Sequence, residues 1–486
     1  MQKQKRLLVI ISFSFSIRFL YRTGMLNQLR QFVTPVIVIT WNEEELIDEL
    51  RNDGFEVHLV PESRKGISYS NTRTKIDYWF KQYALKSKYK NIQDDYLDQY
   101  VPLKKKLTRK ARELYNACKT FIPGYTTKLF KQERQLLKDD TNFNEMLTLV
   151  DSLNIDAVFT PTPFHSQEDI LLRAAREKGK KMITSILSFD NLTKRGWIPV
   201  PFDVYMVWNK YNLAEAKRIY PKAANDNNVF ITGAPQFDYY FKKESLMPVE
   251  EWRRSTGIAE PGKKIILYAG GPRSLFPNEC QYLRHIIDAI NNNEIEGNPL
   301  VLFRCHPIDN VERWKEYVGE HPNLIYDTSW TGTKKLQLTN ITRRDITKLC
   351  STLAYTDVHI NVISTMSVDG SAYGKPQIGP SYDDVNPAKQ HLLRRMYMQE
   401  HFIPIINTGG LLLADSRESF IQSINKTLRH PEKYISQSNR IVEEIITYLD
   451  GRSTERTVQV IKETLALNQQ GVKGSKNLQS SSVNEA

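Results

Sequence analysis

Three short segments carry side chains whose types and spacing suit the capture of a phosphorylated ligand. The run Val301-Leu-Phe-Arg-Cys-His-Pro307 is apolar and ends in His306 and Pro307. The proline fixes the backbone after the imidazole. An imidazolium there can donate to a phosphate oxygen, a charge-assisted bond worth roughly 1.5–3 kcal/mol. Arg304 lies two residues earlier, on the same face of a strand. The run Val358-His-Ile-Asn-Val-Ile-Ser-Thr-Met-Ser-Val-Asp369 is a strand pattern leading into Ser364 and Thr365, with a helix opening at Met366. Hydroxyls and free N–H groups at a helix start form an anion site, and Asp369, about one turn in, is spaced to meet a ribose hydroxyl. In Leu267-Tyr-Ala-Gly-Gly-Pro-Arg273, Gly270 and Gly271 let backbone approach a ligand and Arg273 can reach an anion. Each segment also has a plain reading: a strand-capping histidine, a Ser/Thr N-cap, a glycine turn.

The first half of the chain offers three more. Ser14, Ser16 and Arg18, in Ser12-Phe-Ser-Phe-Ser-Ile-Arg18, can hold a sugar or phosphate. Thr160-Pro-Thr-Pro-Phe-His165 presents His165 on a proline-stiffened loop. In Ser188-Phe-Asp-Asn-Leu-Thr-Lys194, Asp190 is the candidate general base, with Asn191 and Lys194 as substrate contacts and Arg195 beside them. Asp-Asn is also ordinary turn chemistry. Thr408-Gly-Gly410 either lines the cleft or turns the chain, and Asp383-Asp384 reads as a solvated loop pair. There is no DxD triplet at a strand end, no HExxH and no Walker pattern. No metal site is expected, so bound phosphates must be neutralised by His, Arg and helix dipoles.

These segments follow a regular rhythm. Strand patterns at residues 7–11, 36–40, 56–60, 157–160, 181–187, 204–207 and 229–232 alternate with helical ones, including an amphipathic stretch at 17–31 and another at 43–53. A second series begins at 264–269 and continues at 300–304, 324–326, 358–362, 376–379 and 402–406. This is the pattern of parallel sheets flanked by helices, in which ligands sit beyond the carboxyl ends of the strands. The expectation is an α/β protein of two Rossmann-like domains facing each other across a cleft. The first spans 1–241 and the second 242–445, followed by a C-terminal helix at 446–467 and a disordered Ser/Asn/Gln/Gly tail at 468–486.

Residues 66–144 break the rhythm and read as a basic, mainly helical insert. Lys104-Lys-Lys106 and Arg109-Lys-Ala-Arg112 lie close together, with Tyr78, Trp79, Phe80 and Tyr83 upstream. Such a segment suits an anionic membrane surface; a solvated helical face with core aromatics fits it equally. It matches no recognisable nucleic-acid module, so nucleic acid is not expected as a partner.

Composition bounds the rest. At 486 residues the chain is long enough for two or three domains. Hydrophobic residues are 40% and charged residues 25%, which excludes a collagen-like, wholly disordered or multispanning chain. Lys plus Arg is 67 against Asp plus Glu at 55, a net +12 that suits an anionic partner. Cys118, Cys280, Cys305 and Cys350 fall at no CxxC spacing and are expected as reduced, scattered thiols. The start of the chain mimics a signal peptide, but Ser12, Ser14 and Ser16 interrupt the apolar run and it falls far below the roughly 20 residues of a spanning helix. Residues 7–11 read instead as a buried first strand.

Twin Rossmann-like halves with His306-Pro307 and Ser364-Thr365 at strand ends resemble the GT-B glycosyltransferases. The resemblance is to the bacterial surface-polysaccharide group that includes polysialyltransferases, capsule Kdo-transferases and CDP-glycerol glycerophosphotransferases. Their HP and S-S/T motifs hold the donor's phosphates, and Gly233-Ala-Pro-Gln-Phe-Asp238 resembles the segment that closes their first domain. Asp450-Gly-Arg-Ser-Thr-Glu-Arg456 resembles the ending of the non-hydrolysing UDP-GlcNAc 2-epimerases. The epimerases' His-Arg-x-Glu-Asn run is replaced here by Gly270-Gly-Pro-Arg-Ser274, which argues against their chemistry.

The resemblance implies a metal-independent transferase that moves a sugar from a CMP-, CDP- or UDP-linked donor to a growing glycan or lipid-linked acceptor. The donor would be held by Gly270, Gly271, Arg273, Arg304, His306, Pro307, Ser364, Thr365, Met366 and Asp369. Asp190, or else His165, would act as base, with Ser14, Ser16, Arg18, Asn191 and Lys194 on the acceptor side. The expected location is cytoplasmic, at the inner face of the membrane. The alternatives are a CDP-glycerol-type polyol-phosphate transferase and a non-catalytic nucleotide- or glycan-binding scaffold.

Overall fold

A computed structural model of the chain describes residues 4–60, 66–85, 88–195, 197–327 and 339–466. The tail expected to be disordered lies outside the described residues. All strand pairings are parallel and form two sheets. The first contains β1 (Arg6–Ile11), β2 (Thr34–Ile39), β3 (Glu56–Leu59), β4 (Ala157–Thr160), β5 (Lys181–Ser185), β6 (Val204–Val207) and β7 (Val229–Ile231), in the order β3-β2-β1-β4-β5-β6-β7. The second contains β8 (Ile265–Ala269), β9 (Leu300–Arg304), β10 (Leu324–Asp327), β11 (Val358–Asn361), β12 (Gln377–Pro380) and β13 (Leu411–Ala414), in the order β10-β9-β8-β11-β12-β13. Most strand residues are apolar and buried because helices cover both faces. Leu8, Ile10, Val36 and Val38 pack into one buried cluster, and Leu7, Val9, Ile11, Ile37 and Ile39 into another on the opposite face.

The last strand is displaced from its expected place. Residues 402–406 belong to a helix, Ile403–Asn407, and the edge strand is β13. Pro404 explains the difference: it has no N–H for a sheet ladder but fits the first turn of a helix. Thr408-Gly-Gly410 turns the chain between them, since Gly409 sits at φ 69° and a Cβ on Gly410 would lie 2.3 Å from the Gln437 carbonyl oxygen. The amphipathic stretch at 17–31 is also not one helix. It divides into Ser14–Ile17, a wide π-type turn over Arg18–Arg22 and Met25–Leu29, with Gly24 at φ 78° before the last.

The C-terminal helix is not a separate unit. After Glu432–Ile446 on the second domain, the chain returns and Ser453–Ala466 packs on the first, where Val458, Ile461 and Leu465 join the cluster of Leu7, Met25 and Leu29. Asp238 holds this return. Its carboxylate accepts from the Ser453 N–H at 2.9 Å and the Thr454 N–H at 2.8 Å, capping the helix from a distant part of the chain. Gly233, at φ 80°, leaves room for Ser453, whose Oγ would lie 2.6 Å from a Cβ there. The two sequence segments around Asp238 and Asp450 therefore meet as one joint.

The insert bridges the domains. Its helices are Ile67–Trp79, Tyr89–Leu97, Leu103–Thr120 and Tyr125–Lys138. Tyr69 donates to Asp169 at 3.0 Å, and Arg173 pairs with Glu133 at 2.6 Å, which ties the outer helices to the first domain. Phe80 stacks on Tyr220, so these aromatics serve the core. The helix Tyr89–Leu97 crosses over: Ile92 and Tyr96 are buried with Tyr268, Phe276, Leu393 and Met396 of the second domain. Asp383, read from sequence as solvated, is buried in this contact. It accepts from Asn278 and Gln281 at 3.1 Å and lies 3.5 Å from the Tyr100 hydroxyl.

Asp238→Asn keeps the shape of the joint but removes the carboxylate cap. It should lower unfolding free energy by about 1–3 kcal/mol, measured by urea denaturation. An unchanged transition would show that the cap does not hold the C-terminal return.

Candidate active site

The sheet order determines what can meet. β9, β8 and β11 are neighbours, so the turns at their carboxyl ends lie side by side. The loop after β5 faces them from the first domain. Between them lies a cleft of about 580 Å³, open to solvent, that brings together Asp190 and Lys194 with Gly271, His306, Ser364 and Thr365. Phe189, Phe276, Ile363, His401 and Phe402 complete much of its wall.

The turn after β11 is built with strain. Ile363 is held at φ +47°, a conformation that costs a β-branched residue about 1–3 kcal/mol. Asn361 fixes the residues after it, its Oδ1 accepting from the Ser364 N–H at 3.2 Å and the Ser367 hydroxyl at 2.9 Å. Ser364 Oγ accepts from the Met366 N–H at 3.2 Å. The helix that begins at Met366 has only six residues, and Ser364 and Thr365, just before it, line the cleft.

His306 is neutral near pH 7. Burial pushes its pKa down to about 4, against a smaller opposing effect of Asp309. Its Nδ1 accepts from the Ile308 N–H at 3.2 Å, which leaves the proton on Nε2. His306 thus offers a neutral N–H donor, and the imidazolium considered from sequence would form only if a bound phosphate raised its basicity.

Asp190 and Lys194 form an ion pair at 2.8 Å. Burial pushes the Asp190 carboxyl up, but Lys194, His401 and hydrogen bonds from Lys194 and Ser188 together outweigh it and hold the group well below the usual carboxylate range. The Asn191 amide donates to Asp190 at 3.1 Å, so Asn191 positions the carboxylate and does not line the cleft. While Lys194 is paired with it, Asp190 is ionised but a weak base. His401 has no motif to announce it. Burial lowers its pKa to about 3, and its Nδ1 lies 3.3 Å from the Thr193 hydroxyl.

Several expected site residues have other work. Gly270 is needed for packing, since a Cβ there would lie 2.9 Å from Trp314. The Gly271 N–H is not open to a ligand: it donates to buried Glu279 at 2.8 Å, whose pKa burial raises to about 8. Arg304 is buried and pairs with Asp327 on the adjacent strand at 3.0 Å. Asp369 accepts from the Tyr240 hydroxyl in the domain interface and lies 4.0 Å from Arg18. Arg18 also donates to the Gln236 carbonyl at 2.9 Å and to Tyr240 at 2.8 Å. Ser14 accepts from the Thr339 N–H, Ser16 is fully buried, and His165 packs edge-on against Phe13. Arg273 is exposed, and neither it, Pro307 nor Met366 lines the cleft. Among the described residues, no group of three or more His, Cys, Asp or Glu side chains is placed to hold a metal ion.

Residues 201–463, more than half of the chain, match the sequence model of the family described as CDP-Glycerol:Poly(glycerophosphate) glycerophosphotransferase. The chain belongs to that family. The matched span contains His306, Ser364, Thr365 and His401, whereas Asp190, Lys194 and the insert lie before it. A teichoic acid poly(ribitol-phosphate) polymerase of Bacillus spizizenii is 25% identical over 236 residues, covering 48% of this chain and 33% of the relative. The chain thus spans about a third of the length of that curated relative. Among solved structures, a putative UDP-N-acetylglucosamine 2-epimerase from Listeria monocytogenes gives a TM-score of 0.55 at 11% identity, covering 97% of this chain and 98% of the other. The Neisseria meningitidis UDP-GlcNAc 2-epimerase bound to UDP-GlcNAc gives 0.54 at 10% identity, with 95% and 99% covered. The S. aureus MnaA–UDP co-structure gives 0.52 at 11%, with 96% and 98% covered. At such identities these likenesses show the fold, and it is the two-domain GT-B arrangement expected from the motifs.

The His306 imidazole should titrate with a midpoint near pH 4, because the folded chain disfavours its protonated form. At pH 6 it should remain the neutral Nε2–H tautomer in nitrogen-detected NMR. A midpoint near 6.5 would place the ring in solvent and contradict this geometry.

Proposed function

We propose that the protein is a transferase of surface-polymer synthesis that takes a group activated on a nucleotide and passes it to a hydroxyl of a growing glycan. The observation that carries this reading is the convergence of His306, Ser364 and Thr365 from one domain on the Asp190–Lys194 pair of the other. In the leading form the donor is a nucleotide sugar, linked to CMP, CDP or UDP. The Nε2–H of His306 and the hydroxyls of Ser364 and Thr365 would donate to its phosphates, while Lys194 supplies the nearest positive charge. Stabilising the leaving phosphate in this sheltered cleft would be the main catalytic contribution. These residues would neutralise it without a divalent ion.

A phosphate that draws Lys194 away also removes the partner that keeps Asp190 weakly basic. The Asp190 carboxylate would then be better able to take the proton from the acceptor hydroxyl. His165 is less suited to that task, since it packs on Phe13 outside the cleft. The family description and the poly(ribitol-phosphate) relative favour a second form, transfer of a polyol phosphate from a CDP-linked donor. Product analysis separates the two. Sugar transfer from a nucleoside diphosphate sugar releases the nucleoside diphosphate; polyol-phosphate transfer releases CMP and leaves a new phosphodiester.

The insert would carry the protein to a membrane-borne, lipid-linked acceptor. Its helix Leu103–Thr120 buries no residue and exposes Leu103, Leu107 and Leu114 among Lys104, Lys105, Lys106, Arg109 and Lys110. Basic residues near an anionic surface contribute about 1 kcal/mol each. Among the described residues no helix is long and apolar enough to cross a membrane. In this reading contact would be peripheral, at the cytoplasmic face.

Replacing His306 with Ala should reduce donor affinity or turnover roughly 10–100-fold, in an assay run with a chelator and no divalent ion. Wild-type transfer by His306→Ala would refute the donor site. The protein should also co-sediment with vesicles containing anionic lipid, and Lys104, Lys105 and Lys106 changed together to Glu should release it; retention would refute the membrane contact.

A further inference from the structure

The insert does more than bridge the domains: it reaches the back of the cleft. Helix Tyr89–Leu97 leaves the first domain's insert and buries Ile92 and Tyr96 in the second domain's core. Further contacts hold it there. Arg395 pairs with Asp95 at 3.1 Å, and the Asn386 amide donates to Gln99 at 2.9 Å. The position of the helix is therefore set by the second domain.

Its first residue is Tyr89. The Lys194 ammonium lies 5.4 Å from the centre of the Tyr89 ring, within the range of a cation–π contact. The same ring lies 5.7 Å from that of His401. Lys194 belongs to the first domain and His401 to the second, and both line the cleft, whereas Tyr89 does not. Thr193 and Phe189 hold His401 from the other side, the hydroxyl at 3.3 Å and the ring centre at 6.3 Å. One aromatic side chain, delivered by the insert, thus backs one cleft residue from each domain.

We propose that Tyr89 is a positioning residue that holds Lys194 and His401 in the cleft, so that the insert completes the site of the fold it interrupts. The inference rests on the reading of the cleft as a transferase site. Tyr89 lies outside the span that matches the family model, so nothing in that match assigns it a role. The Tyr89 ring makes both contacts. Lys194 has a long flexible side chain with a strongly hydrated head. Asp190 holds that head until a phosphate competes for it; without the ring, the released side chain would then meet the donor's phosphates less often.

Two measurements test this on the full chain. Reductive methylation with ¹³C-formaldehyde labels lysine amines, and the Lys194 resonance is the one absent from Lys194→Arg. In wild type and Tyr89→Phe it should be displaced by the ring from the exposed lysines. In Tyr89→Leu and Tyr89→Met it should fall among them. Tyr89→Met keeps most of the bulk, so the test stands if the Leu variant does not fold. An undisplaced wild-type resonance, or one unmoved by losing the ring, overturns the proposal.

In the transfer assay, loss of the ring should lower kcat/KM about tenfold, between the sizes of an exposed and a desolvated cation–π contact. Tyr89→Phe should restore it. Undiminished kcat/KM in Tyr89→Met, or no rescue by Tyr89→Phe, overturns the role in the site. If wild-type protein consumes no donor, the transferase reading fails by itself, and the Lys194 resonance still decides whether Tyr89 positions it.

Discussion

Two parallel sheets form a shared site only if their strand ends are held face to face, and here a buried guanidinium helps to hold them. Arg18 leaves the end of β1 and donates to the Gln236 carbonyl and the Tyr240 hydroxyl, with the Asp369 carboxylate of the second domain at 4.0 Å. Tyr240 in turn donates to Asp369. A charge this deeply buried is costly unless it is paired and hydrogen-bonded, and removing one partner strands the rest. Arg22 extends the contact, donating to the Ile341 carbonyl at 2.8 Å and to Asn340 at 3.0 Å. The remote cap at Asp238 and the insert helix at Tyr89–Leu97 join the domains elsewhere. The cleft lies among these connections and inherits its shape from them.

The electrostatic state of the cleft follows from how these groups are buried and paired. Burial keeps His306 and His401 neutral, and the Lys194 charge is matched by Asp190. Behind Gly271, burial raises Glu279 towards its neutral form, which reduces repulsion of an anion. The site therefore carries little net charge. In the proposed reaction an arriving dianion would compete for Lys194 and raise the basicity of His306. In a sheltered site such shifts are larger than in water.

Much of this was legible in sequence, and the exceptions have physical causes. The strands of the parallel sheets are continuous apolar runs, so nearly all could be placed. Residues 402–406 could not, because an apolar run of that length suits a buried strand or a helix, and only Pro404 argued for the helix. Polar residues at strand ends marked the region of the cleft, which is why Asp190, Lys194, His306, Ser364 and Thr365 were found. The same signal misassigned Arg18 and Asp369, since a domain interface recruits the same residue types at the same strand ends. Gly270 and Gly271 looked like ligand contacts, but packing against Trp314 and Phe276 requires them. His401 and Tyr89 were invisible because their roles arise from contacts between distant parts of the chain.

The most direct test of the central claim is isothermal calorimetry of the wild-type protein against CMP, CDP, UDP, GDP and ADP, with a chelator present. Repeating each titration in buffers of different ionisation enthalpy gives the protons taken up on binding. The account predicts tight binding of one pyrimidine nucleotide, with net proton uptake near pH 5–6 as the phosphate raises the His306 pKa from about 4. Binding that requires a divalent ion, or no binding by folded protein, would contradict it.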